Sequence, residues 1–216
     1  MLLRSIVTLI FLASCDGRQP VTVSCHPEPA YAKAAKSALR LRLFCDGELE
    51  GYGSATAISP WIAVTAKHVQ CDDKTQESSY EAVTIDGGVV HLIMGAEAEA
   101  GVDVMLLESL GGKFDHYAAI ADEDPERWEH VFGVTGDGGL DHHGFPPFHL
   151  KHGWVGQIDW RKIYVDGHCC PGNSGSAFFN DRGEIVGVLS AGVWDPRREN
   201  WCEGYRPASW LRLVSP

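Results

Sequence analysis

The 216-residue sequence is short of positive charge, with 18 Lys and Arg against 29 Asp and Glu and a formal net charge of −11. A nucleic-acid partner needs a basic stripe to displace phosphate counterions, so no nucleic acid is expected among the partners. No block of like charge is long enough to read as a tail. No internal repeat of about 20 to 50 residues is present, which excludes solenoids and propellers. No apolar run reaches the roughly 20 residues of a spanning helix. There is no C-x-x-C pair, and the vicinal Cys169-Cys170 is a poor chelator, so a structural zinc site is not expected. His142, His143, His149 and His152 fall in a Gly-, Asp- and Pro-rich segment without ligand spacing, and read as a solvated loop over 136–152. Neither a metal nor a cofactor is expected.

What is present is an ordinary globular composition, 44% hydrophobic and 22% charged, of a length for one large domain or two small ones. Short apolar or alternating runs, separated by Gly, Asp and Pro, predict strands at Leu39–Leu43, Ser54–Ile58, Ile62–Thr65, Ala82–Ile85, Val89–Met94 and Val104–Leu107. A second set follows at His130–Val134, Gly153–Ile158, Lys162–Val165, Ser176–Phe179 and Ile185–Ser190. The fold class is therefore all-β, a sandwich or barrel. Ala30–Ala38 predicts one or two helical turns.

Met1–Arg4 carries one positive charge, and Ser5–Ala13 is a short apolar run with the proportions of a secretory signal. It ends in Leu12-Ala13-Ser14-Cys15, which resembles the bacterial lipobox, followed by Asp16. That resemblance implies lipidation at Cys15, a signal peptide over 1–14, a tether over 15–38, and export to the periplasmic face of a bacterial membrane. Beyond Cys15 six cysteines remain, and an oxidising compartment allows up to three disulfides among 15 pairings.

Three segments carry chemistry. Trp61 to Val69 is an apolar strand delivering His68, Val102 to Leu107 opens on Asp103, and Pro171 to Phe179 holds Ser174 between glycines. A serine hydroxyl becomes a useful nucleophile when an imidazole takes its proton. A carboxylate then fixes the imidazole tautomer, and nearby backbone N–H groups stabilise an oxyanion. An α/β-hydrolase would need Gly-x-Ser-x-Gly and a later His. Position 176 is Ser, and all ten histidines precede Ser174.

Thr65-Ala66-Lys67-His68, Asp103-Val104-Met105-Leu106-Leu107 and Gly172-Asn173-Ser174-Gly175-Ser176 resemble the motifs of trypsin-like serine proteases, most closely bacterial members. The resemblance runs from about residue 41 to 210. It implies two packed antiparallel β-barrels, about 39–115 and 128–206 within a 39–216 domain, and a short C-terminal helix near Pro207–Val214. It implies a protein or peptide substrate, with His68 as general base, Asp103 as orienting carboxylate and Ser174 as nucleophile. Gly172 and Ser174 would supply the oxyanion hole, and Ser190, Ala191 and Gly192 the strand that pairs with substrate. Ser190 would also hydrogen-bond Asp103. His168 would lie at the bottom of the primary pocket, which argues against an Arg or Lys preference. The resemblance pairs Cys170 with Cys202, suggests Cys45 with Cys71, and leaves Cys25 with Cys169 by elimination.

Departures are visible as well. Asn173 replaces the Asp that pairs with a freshly cut N-terminus, so activation by such a cut is not expected. Lys67 replaces a small residue beside the histidine. The separations of 35 and 71 residues between His68, Asp103 and Ser174 are short and imply trimmed loops. A catalytically silent peptide-binding protein of the same fold, and an esterase-like hydrolase, are the alternatives.

Overall fold

The computed structural model describes residues 29–73, 75–136, 148–167, 169–195 and 198–214. Cys15, Cys25, His142, His143 and His168 lie outside them. The chain opens with helix α1 (Pro29–Ser37) and continues into β1 (Ala38–Cys45), β2 (Glu48–Ala57), β3 (Ile62–Thr65), β4 (Ser78–Thr84), β5 (Val89–Glu97) and β6 (Met105–Ser109). These six strands close into a barrel in the order β1-β2-β3-β6-β5-β4. The next six are β7 (His130–Gly136), β8 (Phe148–Ile158), β9 (Lys162–Asp166), β10 (Ala177–Phe179), β11 (Ile185–Asp195) and β12 (Arg198–Tyr205). They close a second barrel in the order β10-β11-β12-β9-β8-β7. All pairings within the two barrels are antiparallel, and closure leaves neither sheet an open edge.

The alternation in β1 is the local cause of the first barrel. Leu39, Leu41, Leu43 and Cys45 point inward and are buried with Tyr80, Leu92, Met105 and Leu107. The intervening face is not open to solvent at its start: Arg40 is also buried, its guanidinium over the Phe148 ring at 4.6 Å. The β1–β2 hairpin turns at Asp46 (φ 50) and Gly47 (φ 86), the Asp-Gly pair that a turn with two positive φ angles favours. A second core of Val131, Val155, Ile163, Val165 and Phe178 fills the other barrel. Between the barrels, Val64, Val104, Leu106, Phe132, Phe179 and Trp210 form a third apolar cluster. That cluster fixes how the barrels dock.

Several expectations change. Residues 148–152, read as part of a loop, are the first half of β8, because β7 offers them a complete ladder from Gly136↔Phe148 to Phe132↔His152. Strand β12 lies within the 128–206 expected for the second barrel but is not among the runs that read as strands. The short C-terminal helix takes the form of two 3₁₀ turns, Pro207–Ser209 and Leu211–Leu213. Helix α1 falls within residues assigned to a tether, yet Ala34 and Ala35 are buried against the body of the protein.

The disulfides are Cys45–Cys71 and Cys169–Cys202, each with a Cα–Cα distance of 5.8 Å. The Cys170–Cys202 pairing is therefore corrected, and with it Cys25–Cys169. Cys170 is held inside a turn, its N–H donating to Asn173 Oδ1 (2.9 Å) and its carbonyl accepting from Asn173 N–H (3.1 Å). This leaves its thiol free beside Lys151 Nζ at 3.6 Å, while Cys169, just before the turn, faces β12.

Candidate active site

The β3–β6 register explains why residues far apart in sequence meet. Thr65, the last residue of β3, lies opposite Met105, the first of β6. The turn after Thr65 and the segment before Met105 thus emerge at the same end of the first barrel. His68 stands in that turn, closed by Val69 N–H to the Ala66 carbonyl at 3.1 Å. Asp103 stands two residues before β6. Its Oδ1 accepts from the His68 backbone N–H (2.8 Å), and its Oδ2 contacts His68 Nδ1 (2.6 Å). Ser190 of β11, in the other barrel, donates its hydroxyl to the same Oδ2 at 2.5 Å. Lys67 forms an ion pair with Glu97.

The electrostatics follow from these contacts. The hydrogen bond to Asp103 raises the His68 pKa above 6.5; partial burial opposes this and the carboxylate charge reinforces it. Burial alone would raise the Asp103 carboxyl. Hydrogen bonds from His68 and Ser190, with the His68 charge, outweigh it and hold the group below its ordinary value. Asp103 therefore stays ionised while His68 changes charge, the division of roles a proton-transferring imidazole needs.

Ser174 arrives on the loop between β9 and β10. Its carbonyl accepts from Ser54 N–H (2.9 Å), and the Ser54 hydroxyl donates to the Gly172 carbonyl (2.8 Å), so β2 of the first barrel grips the loop at two points. Gly175 is obligatory there. Its φ is +89, and a Cβ would lie 2.1 Å from both Ser54 O and Thr65 Oγ1. Gly175 N–H donates to Leu189 O (2.7 Å), and Leu189 N–H donates to Ser176 O (2.8 Å), which fastens the loop to β11. Gly172 has φ 91, and among the described residues no acceptor takes the N–H of Gly172 or Ser174. The Ser174 hydroxyl donates to the Ser190 carbonyl at 3.3 Å. Among the described residues no hydrogen bond joins it to His68.

The structure thus brings His68, Asp103, Ser174, Gly172 and Ser190 to one place, with Ala191 and Gly192 continuing along β11. His149 and His152 lie on β8, and His152 Nδ1 contacts His130 Nε2 at 3.0 Å. Among the described residues no group of three or more metal-ligating side chains gathers. Sequence reasoning gave no contact role to Ser54, to Thr65 at the head of the His68 motif, or to Lys151, whose Nζ donates to Asn173 Oδ1 at 2.8 Å.

Comparison of the whole chain with solved structures gives consistent neighbours. The protease Rv3671c from M. tuberculosis in its active form superposes with a TM-score of 0.71 at 15% identity, covering 94% of this chain and 92% of that one. Its inactive form gives 0.69 at 15% identity over 87% and 91%. The serine endoprotease from Yersinia pestis gives 0.67 at 17% identity over 83% of this chain, which spans 61% of that one. The fold is chymotrypsin-like. No protein-family model matches the sequence, and no curated protein does.

Proposed function

We propose that this chain is a serine endopeptidase working by an acyl-enzyme mechanism. The observation that carries the reading is the Asp103 carboxylate, which accepts from His68 twice and from Ser190 once, beside a serine raised on a glycine-flanked loop. With Asp103 on Nδ1, the proton of neutral His68 resides there, and Nε2 is left as the base. In the reaction Ser174 Oγ forms a bond to the carbonyl carbon and its proton passes to His68 Nε2. The oxyanion that results is held by the N–H groups of Gly172 and Ser174. Collapse breaks the C–N bond, and the amine leaves with the proton from His68. Water then repeats the sequence on the acyl-Ser174 ester.

The extended substrate lies along Ser190, Ala191 and Gly192, whose backbone adds affinity by strand pairing. His168, outside the described residues, is the candidate specificity residue by its place six residues before Ser174, and a histidine there would disfavour Arg and Lys side chains. The two disulfides support export to an oxidising compartment. The lipobox-like segment supports anchoring to a bacterial membrane through Cys15.

Labelling with a fluorophosphonate probe tests the chemistry. The native protein is labelled, and Ser174→Ala and His68→Ala are not. Absence of labelling in folded native protein would favour a silent peptide-binding protein, a reading that draws on the Ser174 hydroxyl being engaged with the Ser190 carbonyl. Cys15→Ser tests the anchor, with loss of fatty-acid labelling and release from membranes as the expected result.

A further inference from the structure

We infer that Lys151 is a positioning residue for the oxyanion hole, acting through Asn173; the inference rests on the protease reading above. Asn173 is the covalent link between Gly172 and Ser174, and it is 1% exposed. Its contacts within the loop and to Lys151 hold the loop's shape. Its Oδ1 accepts from Lys151 Nζ (2.8 Å) and Cys170 N–H (2.9 Å), its N–H donates to Cys170 O (3.1 Å), and its carbonyl accepts from the Ser176 hydroxyl (2.7 Å). Three of these four groups belong to the loop itself. Lys151 does not: it comes from β8, where it lies opposite Gly133 in the ladder with β7. It therefore ties the loop to the rigid wall of the second barrel.

The chemistry of the pair explains why a lysine suits the place. An ammonium has three donors and no acceptor, so it selects the carbonyl end of the Asn173 amide and fixes which way that side chain points. A charge-assisted hydrogen bond is also about twice as strong as a neutral one. With Oδ1 fixed between Lys151 and Cys170, the peptide groups on either side of Asn173 are held too; the one after it carries the Ser174 N–H, and the one before it joins Asn173 to Gly172, whose N–H lies one peptide further back. Displacement of such donors by about 1 Å costs roughly 100-fold in rate. A residue that never touches substrate can thus govern turnover.

The test uses the intact protein with a peptide ester substrate and a peptide aldehyde that forms a tetrahedral adduct. Lys151→Met is expected to lower kcat roughly 10- to 100-fold with KM within about twofold, and to weaken the aldehyde by a similar factor. Lys151→Arg, which keeps a charged donor, is expected to recover most of that loss. A kcat within about threefold of native in Lys151→Met, or a loss that Lys151→Arg fails to recover, overturns the inference. Should Lys151→Met not fold, Asn173→Ala removes the other end of the bond and carries the same expectation for kcat and KM. Native protein that neither turns over nor labels would sink the protease reading instead. In that event, amide hydrogen exchange at residues 172–175 decides the positioning claim: faster exchange in Lys151→Met sustains it, and equal exchange overturns it.

Discussion

The Ser190 hydroxyl and the His68 ring share one oxygen, Asp103 Oδ2, at 2.5 and 2.6 Å. His68 and Asp103 belong to the first barrel and Ser190 to the second. The carboxylate is therefore oriented by both barrels, and the docking cluster around Val64, Val104, Phe179 and Trp210 is part of what aims the imidazole.

Removing the Ser190 hydroxyl tests that arrangement. Ser190→Ala takes one donor from an ionised and partly buried carboxylate, an interaction on the order of 1.5–3 kcal/mol. The expected outcome is a fall in kcat/KM of about tenfold or more at pH 8, carried mainly by kcat. Steady-state kinetics at matched enzyme concentration measure it. An unchanged kcat would show that the two His68 contacts suffice to hold Asp103.

Activity is expected to depend on pH through His68. In the proposed mechanism only neutral His68 would accept the Ser174 proton, and its pKa is raised above 6.5 chiefly by the hydrogen bond to Asp103. The acid limb of the rate profile therefore has its midpoint above 6.5. Asp103→Asn is expected to move that midpoint down and to lower kcat by about four orders of magnitude. Stability runs in the other direction. A group whose folded pKa is raised stabilises the fold fully below 6.5, and that contribution is lost as pH rises through the folded value. Asp103, held below its ordinary 3.8, stabilises above that value and loses its contribution as pH falls through the folded one. Denaturation curves of the native protein and Asp103→Asn across pH 3 to 9 read both signs.

Much of this was legible locally. The apolar run Ile62–Thr65 coincides with β3, and the three motifs around His68, Asp103 and Ser174 meet through the β3–β6 register and the Ser54 contacts. What escaped was made by partners distant in sequence. Strand β12, Arg-Glu-Asn-Trp-Cys-Glu-Gly-Tyr, shows no apolar alternation, and it is a strand because β11 and β9 supply backbone partners on both sides. The polar start of β8, with His149, Lys151 and His152, reads as loop for the same reason. Lys151 could not be tied to Asn173 without that strand.

Gly175→Ala separates backbone strain from collision. At Gly47 the φ is +86 with nothing within 4 Å of a Cβ, so Gly47→Ala should cost about 1–2 kcal/mol from the backbone alone. At Gly175 the same strain is joined by contact at 2.1 Å with the Ser54 carbonyl, which cannot rotate away. Gly175→Ala is expected to cost at least about 3 kcal/mol and lower Tm by roughly 6–12 °C. It should also abolish probe labelling, since the loop must leave β2 to make room. Equal Tm values for the two variants would show that the barrels yield at this contact.

Adjacent cysteines make the second disulfide a matter for variants, because Cys169 and Cys170 share any proteolytic fragment. The turn bonds of Cys170 to Asn173 leave Cys169 as the partner of Cys202. Cys170→Ser should therefore keep the cross-link and a Tm within about 2 °C of native. Cys169→Ser and Cys202→Ser should each lose it. The bridge spans a sequence separation of 33, for which the chain-entropy account gives about 3–4 kcal/mol, or roughly 10 °C in Tm for a domain of this size. Both of those variants should also blunt turnover, because Cys169 lies in the β9–β10 loop that carries Ser174. Free-thiol counting under denaturing conditions, with Tm, distinguishes the pairings. If Cys170→Ser, rather than Cys169→Ser, behaves like Cys202→Ser, then Cys170 is the bridging residue, and the turn that orients Asn173 toward Lys151 must be drawn differently.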